Sequence, residues 1–220
     1  MSGTLALVGG GEWRAGCDFD RDLLDRSGSA QVAVLPTAAA YEHPDRTVDA
    51  ARHWFEELGA TVQAVPVLTR PDALDEDHAD VLRGASFIYL SGGSPMHLRS
   101  VLKDSPVWEA LVAAWQGGAV LAGSGSGAMV LCDPMVDPRG GALTLGLGLV
   151  GPMAVIPHHG TWSEDKAKRT LRIAPAGLPI LGIDERTAAI RDPDGTWHAS
   201  GVGQVVVHLD GHEAPLSALP

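Results

Sequence analysis

Short apolar runs rich in Val, Leu and Ile alternate along this chain with longer amphipathic segments. Such alternation predicts strands joined by helical crossovers, hence a mainly parallel sheet with helices on both faces. Leu5-Ala6-Leu7-Val8 predicts a first strand running straight into Gly9-Gly10-Gly11. Further strands are predicted over residues 31–36, 62–67 and 87–90, the last closing on Ser91-Gly92-Gly93. A helix over residues 45–58 puts Val48, Ala51, Trp54, Phe55 and Leu58 on one stripe, with Gly59 as its stop. Helical segments over 96–102 and 107–115 lead to one more apolar run, Ala119-Val120-Leu121-Ala122.

Beyond that run the texture changes. Residues 133–141 read as a loop and 143–156 as a stretch of Gly and aliphatics. A short helix is predicted from near Ser163, with Glu164 and Asp165 in its first turn and Lys166, Lys168 and Arg169 later, a polarity that suits the helix dipole. Residues 180–183 form a buried-strand pattern. Residues 188–191, 197–199 and 205–208 predict a terminal antiparallel set, with Asp192-Pro193-Asp194-Gly195 as the first turn. No repeat, linker or low-complexity tract interrupts the pattern. One domain over residues 1–220, a three-layer α/β sandwich, is expected.

Ligands bind at the carboxyl ends of the strands in such sheets, so the Gly-rich strand ends should gather on one edge. The most specific of these is Gly123-Ser124-Gly125-Ser126-Gly127. A strand that passes through small residues directly into a helix has the layout of a nucleophile elbow, Gly-x-Ser-x-Gly, whose central residue attacks substrate. Here the frame is present and its centre is Gly125. Ser126 lies one helical position further on, rotated by ~100° and advanced by ~1.5 Å. A nucleophile must meet its base at roughly 2.6–3.2 Å, so Ser126 serves only in a shifted geometry. Ser124, one residue earlier in extended backbone, should face the other way.

Composition narrows the partners. The net charge of −11 argues against nucleic acid and against an anionic membrane surface. No apolar stretch approaches a membrane span. Cys17 and Cys132 are too few for a disulfide framework, and the N-terminus lacks a basic region before its apolar run, so a cytoplasmic setting is expected. A phosphate-binding loop would need Gly-Lys-Ser/Thr after the glycines, and none follows. No Cys/His/Glu spacing points to a metal, and no cofactor is expected.

Three segments could complete a hydrolytic site around the tip. Gly92-Gly93 closes a strand and could supply a backbone N–H to an oxyanion, alongside the N–H of Ser126. Pro157-His158-His159 offers a general base, and Asp184-Glu185-Arg186 offers an acid to orient it. Those strings, with Ala122-Gly123-Ser124-Gly125-Ser126-Gly127-Ala128, Leu90-Ser91-Gly92-Gly93 and Gly182-Ile183-Asp184-Glu185-Arg186-Thr187-Ala188, resemble the dipeptidase E and cyanophycinase family of serine peptidases, which has a class I glutamine-amidotransferase-like fold.

The resemblance implies a Ser-His-Glu triad and cleavage of acidic dipeptides or aspartate-rich polymers, so small acidic or amino-terminal peptides are the expected substrates. His158 would be the base, Glu185 the acid, and the N–H groups of Gly93 and Ser126 the oxyanion donors, and Gly125 would stand at the nucleophile position. It implies contacts to substrate from Ser94, Asp133 and His159, a small peptide or amino-acid-like ligand, and room for a homodimer. Family members read Ala-Gly-Thr-Ser-Ala-Gly-Ala or Ala-Gly-Ser-Ser-Ala-Gly-Ala at the elbow, and many have Asn-Gln where Ser94-Pro95 stands here. Weak or lost peptidase activity is therefore expected. The alternative is a catalytically inactive relative that binds a small ligand or a protein partner.

Overall fold

The protein is described here by a computed structural model over residues 2–220. The first half runs β1 (Leu5–Val8), α1 (Phe19–Ser27), β2 (Gln31–Leu35), α2 (Pro44–Glu57), β3 (Thr61–Ala64), α3 (Arg70–Ala73), α4 (Glu76–Arg83) and β4 (Phe87–Leu90). It continues through α5 (Pro95–Leu102), α6 (Pro106–Gln116), β5 (Val120–Ser124) and α7 (Ser126–Leu131). The second half adds β6 (Met135–Val136), β7 (Leu143–Thr144), β8 (Ala154–Ile156), α8 (Glu164–Arg172) and β9 (Ile180–Ile183). It closes with β10 (Thr187–Arg191), β11 (Trp197–Gly201), β12 (Val205–Leu209) and β13 (His212–Ala214).

The apolar runs bury both faces of their strands. Leu5 and Leu7 of β1 enter one apolar cluster while Ala6 and Val8 enter another; Ile88 and Leu90 of β4 are divided in the same way from Phe87 and Tyr89. One face is covered by α1 and α2, whose Phe19, Leu23 and Phe55 pack with Phe87 and Tyr89. The other is covered by residues such as Leu82, Leu98, Leu111 and Met129 from α4 to α7. Two buried faces need two helical layers, which makes the three-layer sandwich.

The main sheet has the order β11-β10-β1-β5-β4-β2-β3. Its strands from β1 to β3 are parallel, and β10 and β11 are antiparallel additions. β2 stops at Leu35 and β3 at Ala64, each short of the residues that the apolar pattern suggests. Pro36 and Pro66 follow, and proline has no N–H for a ladder.

Residues 205–208 do not extend the terminal set formed by β10 and β11, as the sequence pattern predicts. β12 instead pairs with β9 in a second sheet of order β13-β12-β9-β8. After β11 the N–H of Gly203 is held by Thr187 Oγ1 at 2.8 Å, which turns the chain away, and Val207 is then buried opposite Leu181. Beside the partly exposed β11, that side chain would have faced water.

Among the aromatics beneath the main sheet lies the fully buried Asp20, in the first turn of α1. Its Oδ2 accepts the Trp54 indole N–H at 2.9 Å, while Oδ1 has no partner among the described residues. Burial pushes its carboxyl well above the usual range, against the Trp54 bond and with help from the charge of Glu12. A helix N-terminus favours a carboxylate by only ~0.3–1 kcal/mol, whereas full burial can shift a carboxyl by about 3–5 pKa units. Burial wins.

The folded chain thus keeps a proton that the unfolded chain releases above about pH 4. That contribution to stability is complete below the unfolded-state value and is lost as pH rises towards the folded one. Asp20→Asn keeps an acceptor for Trp54 and carries no charge. Urea unfolding between about pH 5 and 8 should show a flatter decline of stability for Asp20→Asn than for the native chain. Parallel pH profiles would mean that Asp20 is ionised in the fold.

Candidate active site

Strand register brings the Gly-rich ends together. β5 lies between β1 and β4, with Ser124 opposite Val8 and Gly123 opposite Leu90. The residues that follow Val8, Ser124 and Leu90 therefore emerge side by side. Gly125 forms the turn between β5 and α7 at φ 52° and ψ −106°, a conformation that favours glycine. A Cβ added there would lie 3.6 Å from His158 Nε2 and 3.8 Å from the Gly92 Cα, both ordinary contacts. The place for a side chain is open, and it faces the imidazole.

His158 and Glu185 come from the second sheet. β8 and β9 are parallel neighbours, with Ile156 opposite Gly182, so the loops that follow them leave the same end. His158 Nδ1 donates to Glu185 Oε1 at 2.8 Å, and both side chains are close to half exposed. A carboxylate can only accept, so Nδ1 carries a proton in this bond, and a ring without a second proton presents its Nε2 lone pair to the tip. The His158 ring lies across Gly10, where an added Cβ would be only 2.2 Å from Cε1.

Backbone bonds tie these groups to the exit of β1. The N–H groups of Gly125, His158 and Arg186 donate to the carbonyls of Val8, Gly9 and Gly10 at 2.9, 2.7 and 2.7 Å. All three donors have positive φ. For His158 and Arg186 that conformation costs of order 1–3 kcal/mol each, and it persists because the surrounding bonds determine it.

Neither flanking serine faces the imidazole. Ser124 Oγ donates to Glu12 Oε2 at 2.7 Å, and Ser126 Oγ donates to the Gly93 carbonyl. The Gly93 N–H has no partner among the described residues, and that of Ser126 belongs to the first turn of α7, where no carbonyl precedes it in the helix. The Gly92 N–H is taken by Glu12 Oε1 at 3.0 Å. Glu12 is the residue that motif reasoning misses. Its one signal is a carboxylate directly after the Gly9-Gly10-Gly11 strand exit.

The remaining candidates lie apart from the tip or serve the backbone. Ser94 caps α5, its Oγ accepting the His97 N–H at 3.4 Å. His159 turns to the second sheet, with its ring against Gly182 and 5.7 Å from that of His208. Its Nδ1 lies 3.8 Å from Asp184 Oδ1, too far for a hydrogen bond. Asp133 stands past the far end of α7, where its Oδ1 accepts the Gly146 N–H at 2.9 Å. Cys17 and Cys132 are free and buried. Burial pushes the Cys17 thiol up to about 11 and that of Cys132 higher still, so neither is an activated thiolate. Among the described residues, no three His, Cys, Asp or Glu side chains converge as metal ligands do, and no helix is long and apolar enough to cross a membrane.

A parallel sheet with a glycine turn after its central strand, facing a His–Glu pair, defines a class I glutamine-amidotransferase-like fold. The model of peptidase family S51 matches residues 5–196, and the chain belongs to that family. A cyanophycinase from Trichormus variabilis is 28% identical over 217 residues, covering 93% of this chain and 72% of its own length. One from Synechococcus elongatus is 27% identical over 221 residues, covering 93% and 67%. The crystal structure of a peptidase from an acI-B1 Actinobacterium superposes with a TM-score of 0.86 at 30% identity, over 97% of this chain and 93% of that one. A putative peptidase E from Listeria monocytogenes shares the fold at a TM-score of 0.70 and 18% identity, over 92% of this chain and all of that one.

The packing of His158 on Gly10 yields a direct test. Gly10→Ala would drive a methyl into the imidazole at a residue whose φ is already 103°. The ring should leave Glu185, and the downfield Nδ1 proton expected in the NMR spectrum of the native protein should vanish. Stability should fall by ~1–3 kcal/mol. An unchanged signal in the variant would mean that the ring does not rest there.

Proposed function

We propose that this chain is an S51-family protein whose site binds a small peptide or amino-acid-like ligand and whose serine chemistry is weak or lost. The chain acts as a single unit in this reading, with the ligand in the crevice at the carboxyl edge of the main sheet. Gly125 occupies the elbow tip where the family's nucleophile belongs, and that observation carries the proposal. An acyl-enzyme needs an oxygen there, and Gly125 has none. Ser124 and Ser126 do not replace it, because each hydroxyl is spent on another acceptor.

The rest of the machinery supports ligand binding. His158 held by Glu185 gives a base or, when protonated, a cationic donor beside the tip. The N–H groups of Gly93 and Ser126 suit a carboxylate or carbonyl oxygen of the ligand. A slow hydrolysis by water is the second reading, favoured by the Nε2 lone pair facing the open tip. In a well-studied protease, loss of a triad member leaves ~10³–10⁴-fold acceleration from binding and oxyanion groups.

A fluorophosphonate that labels activated serines decides between the readings. The native chain should not label, and Ser126→Ala should change nothing. Gly125→Ser should label, because its hydroxyl would lie beside His158 Nε2, at a stability cost of ~1–3 kcal/mol for a side chain at that φ. Native labelling abolished by Ser126→Ala would make this a working peptidase with a shifted nucleophile. Hydrolysis of acidic dipeptides by the native chain, lost in His158→Ala without labelling, would favour the water route.

A further inference from the structure

The turn after β4 is pinned at nearly every polar group. The Gly92 N–H donates to Glu12, the Gly92 carbonyl accepts the Ser91 hydroxyl at 3.3 Å, and the Gly93 carbonyl accepts the Ser126 hydroxyl. The Ser94 N–H donates to the Ala38 carbonyl at 2.8 Å. The one N–H of this turn without a partner among the described residues is that of Gly93. A turn held so completely around one free donor is a preorganised anion contact.

Glu12 is the centre of that arrangement. Its two oxygens join the N–H of Gly92 to the hydroxyl of Ser124, residues 80 and 112 positions away in sequence. It thereby ties the turn after β4 to the last residue before the tip. Bonds to a charged acceptor are roughly twice as strong as neutral ones, so the carboxylate is the strongest of the pins.

We infer that Glu12 is a positioning residue, which holds the Gly92-Gly93 turn so that the Gly93 N–H stays aimed at the ligand's oxyanion or carboxylate. This rests on the reading that the space beside Gly125 is the ligand site. It also assigns the two serines that flank the tip: Ser124 anchors Glu12, and Ser126 anchors Gly93.

The test has two arms. In the native background, amide hydrogen exchange by NMR should quicken at Gly92 and Gly93 by roughly tenfold or more in Glu12→Ala, with Gly182 in β9 unchanged. Glu12→Gln should stay close to native, because its amide oxygen can accept from Gly92 and its NH₂ can donate to Ser124 Oγ. Ser124→Ala, a milder variant at a buried site, should quicken Gly92 by less than Glu12→Ala does. In the Gly125→Ser background, Glu12→Ala should lower the maximal fluorophosphonate labelling rate roughly tenfold or more, with the half-saturating reagent concentration unchanged, and Glu12→Gln should restore it.

Unchanged exchange at Gly92 in Glu12→Ala overturns the inference, whatever the labelling does. So does faster exchange with labelling as fast as in Gly125→Ser alone, which would leave Glu12 a part of the fold only. If Gly125→Ser itself fails to label, the reading of the tip is lost, and the exchange arm still decides whether Glu12 holds the turn.

Discussion

Three consecutive carbonyls at the exit of β1 organise this molecule. Val8, Gly9 and Gly10 each accept one N–H, from Gly125, His158 and Arg186. Those donors come from three separate places: the turn after β5, the loop after β8, and the corner between β9 and β10. His158 and Arg186 hold positive φ as non-glycine residues, so neither would keep its conformation without a fixed partner. The first sheet thus holds the tip, and the same short backbone stretch recruits the His–Glu pair from the second sheet. Gly10 is required because the imidazole lies against its Cα. A side chain there and the His158–Glu185 pair cannot coexist in this arrangement.

Against that frame, a glycine at the tip is chemically drastic and structurally mild. The turn has the conformation that a non-glycine residue would hold only under strain, and Gly125 adopts it freely. Nothing collapses into the space that a side chain would fill. His158 keeps its carboxylate partner, and the Gly93 N–H keeps its freedom. The hydroxyls on either side are committed to Glu12 and to the Gly93 carbonyl, so both serines serve as anchors of the surrounding turns.

Much was legible from local pattern. The strands Leu5–Val8 and Phe87–Leu90 stand where their apolar runs end, because both faces of a central strand are buried and the run length is the strand length. The strand-to-helix turn at Gly125 follows from small residues at a strand exit. Helices α1 and α4 escape that reading: in α1 only Phe19, Leu23 and Leu24 are buried apolar residues among charged ones, and in α4 only Ala79 and Leu82. Glu12 escapes because its partners are a backbone amide and a hydroxyl far along the chain, and no spacing records such a bond.

The sequence by itself determined the layered α/β plan and the glycine between the two serines, since each is set by residue type and near neighbours, whereas His158 and Glu185 were singled out from their neighbours His159 and Asp184 only by the family resemblance. Tertiary structure decided what pairing across the chain alone can decide. It assigned β12 to β9 instead of β11, turned His159 away from the tip, and sent Asp133 past the far end of α7. It also directed the two serine hydroxyls, because a hydroxyl's role depends on which acceptor the fold delivers to it, and both acceptors here arrive from distant segments.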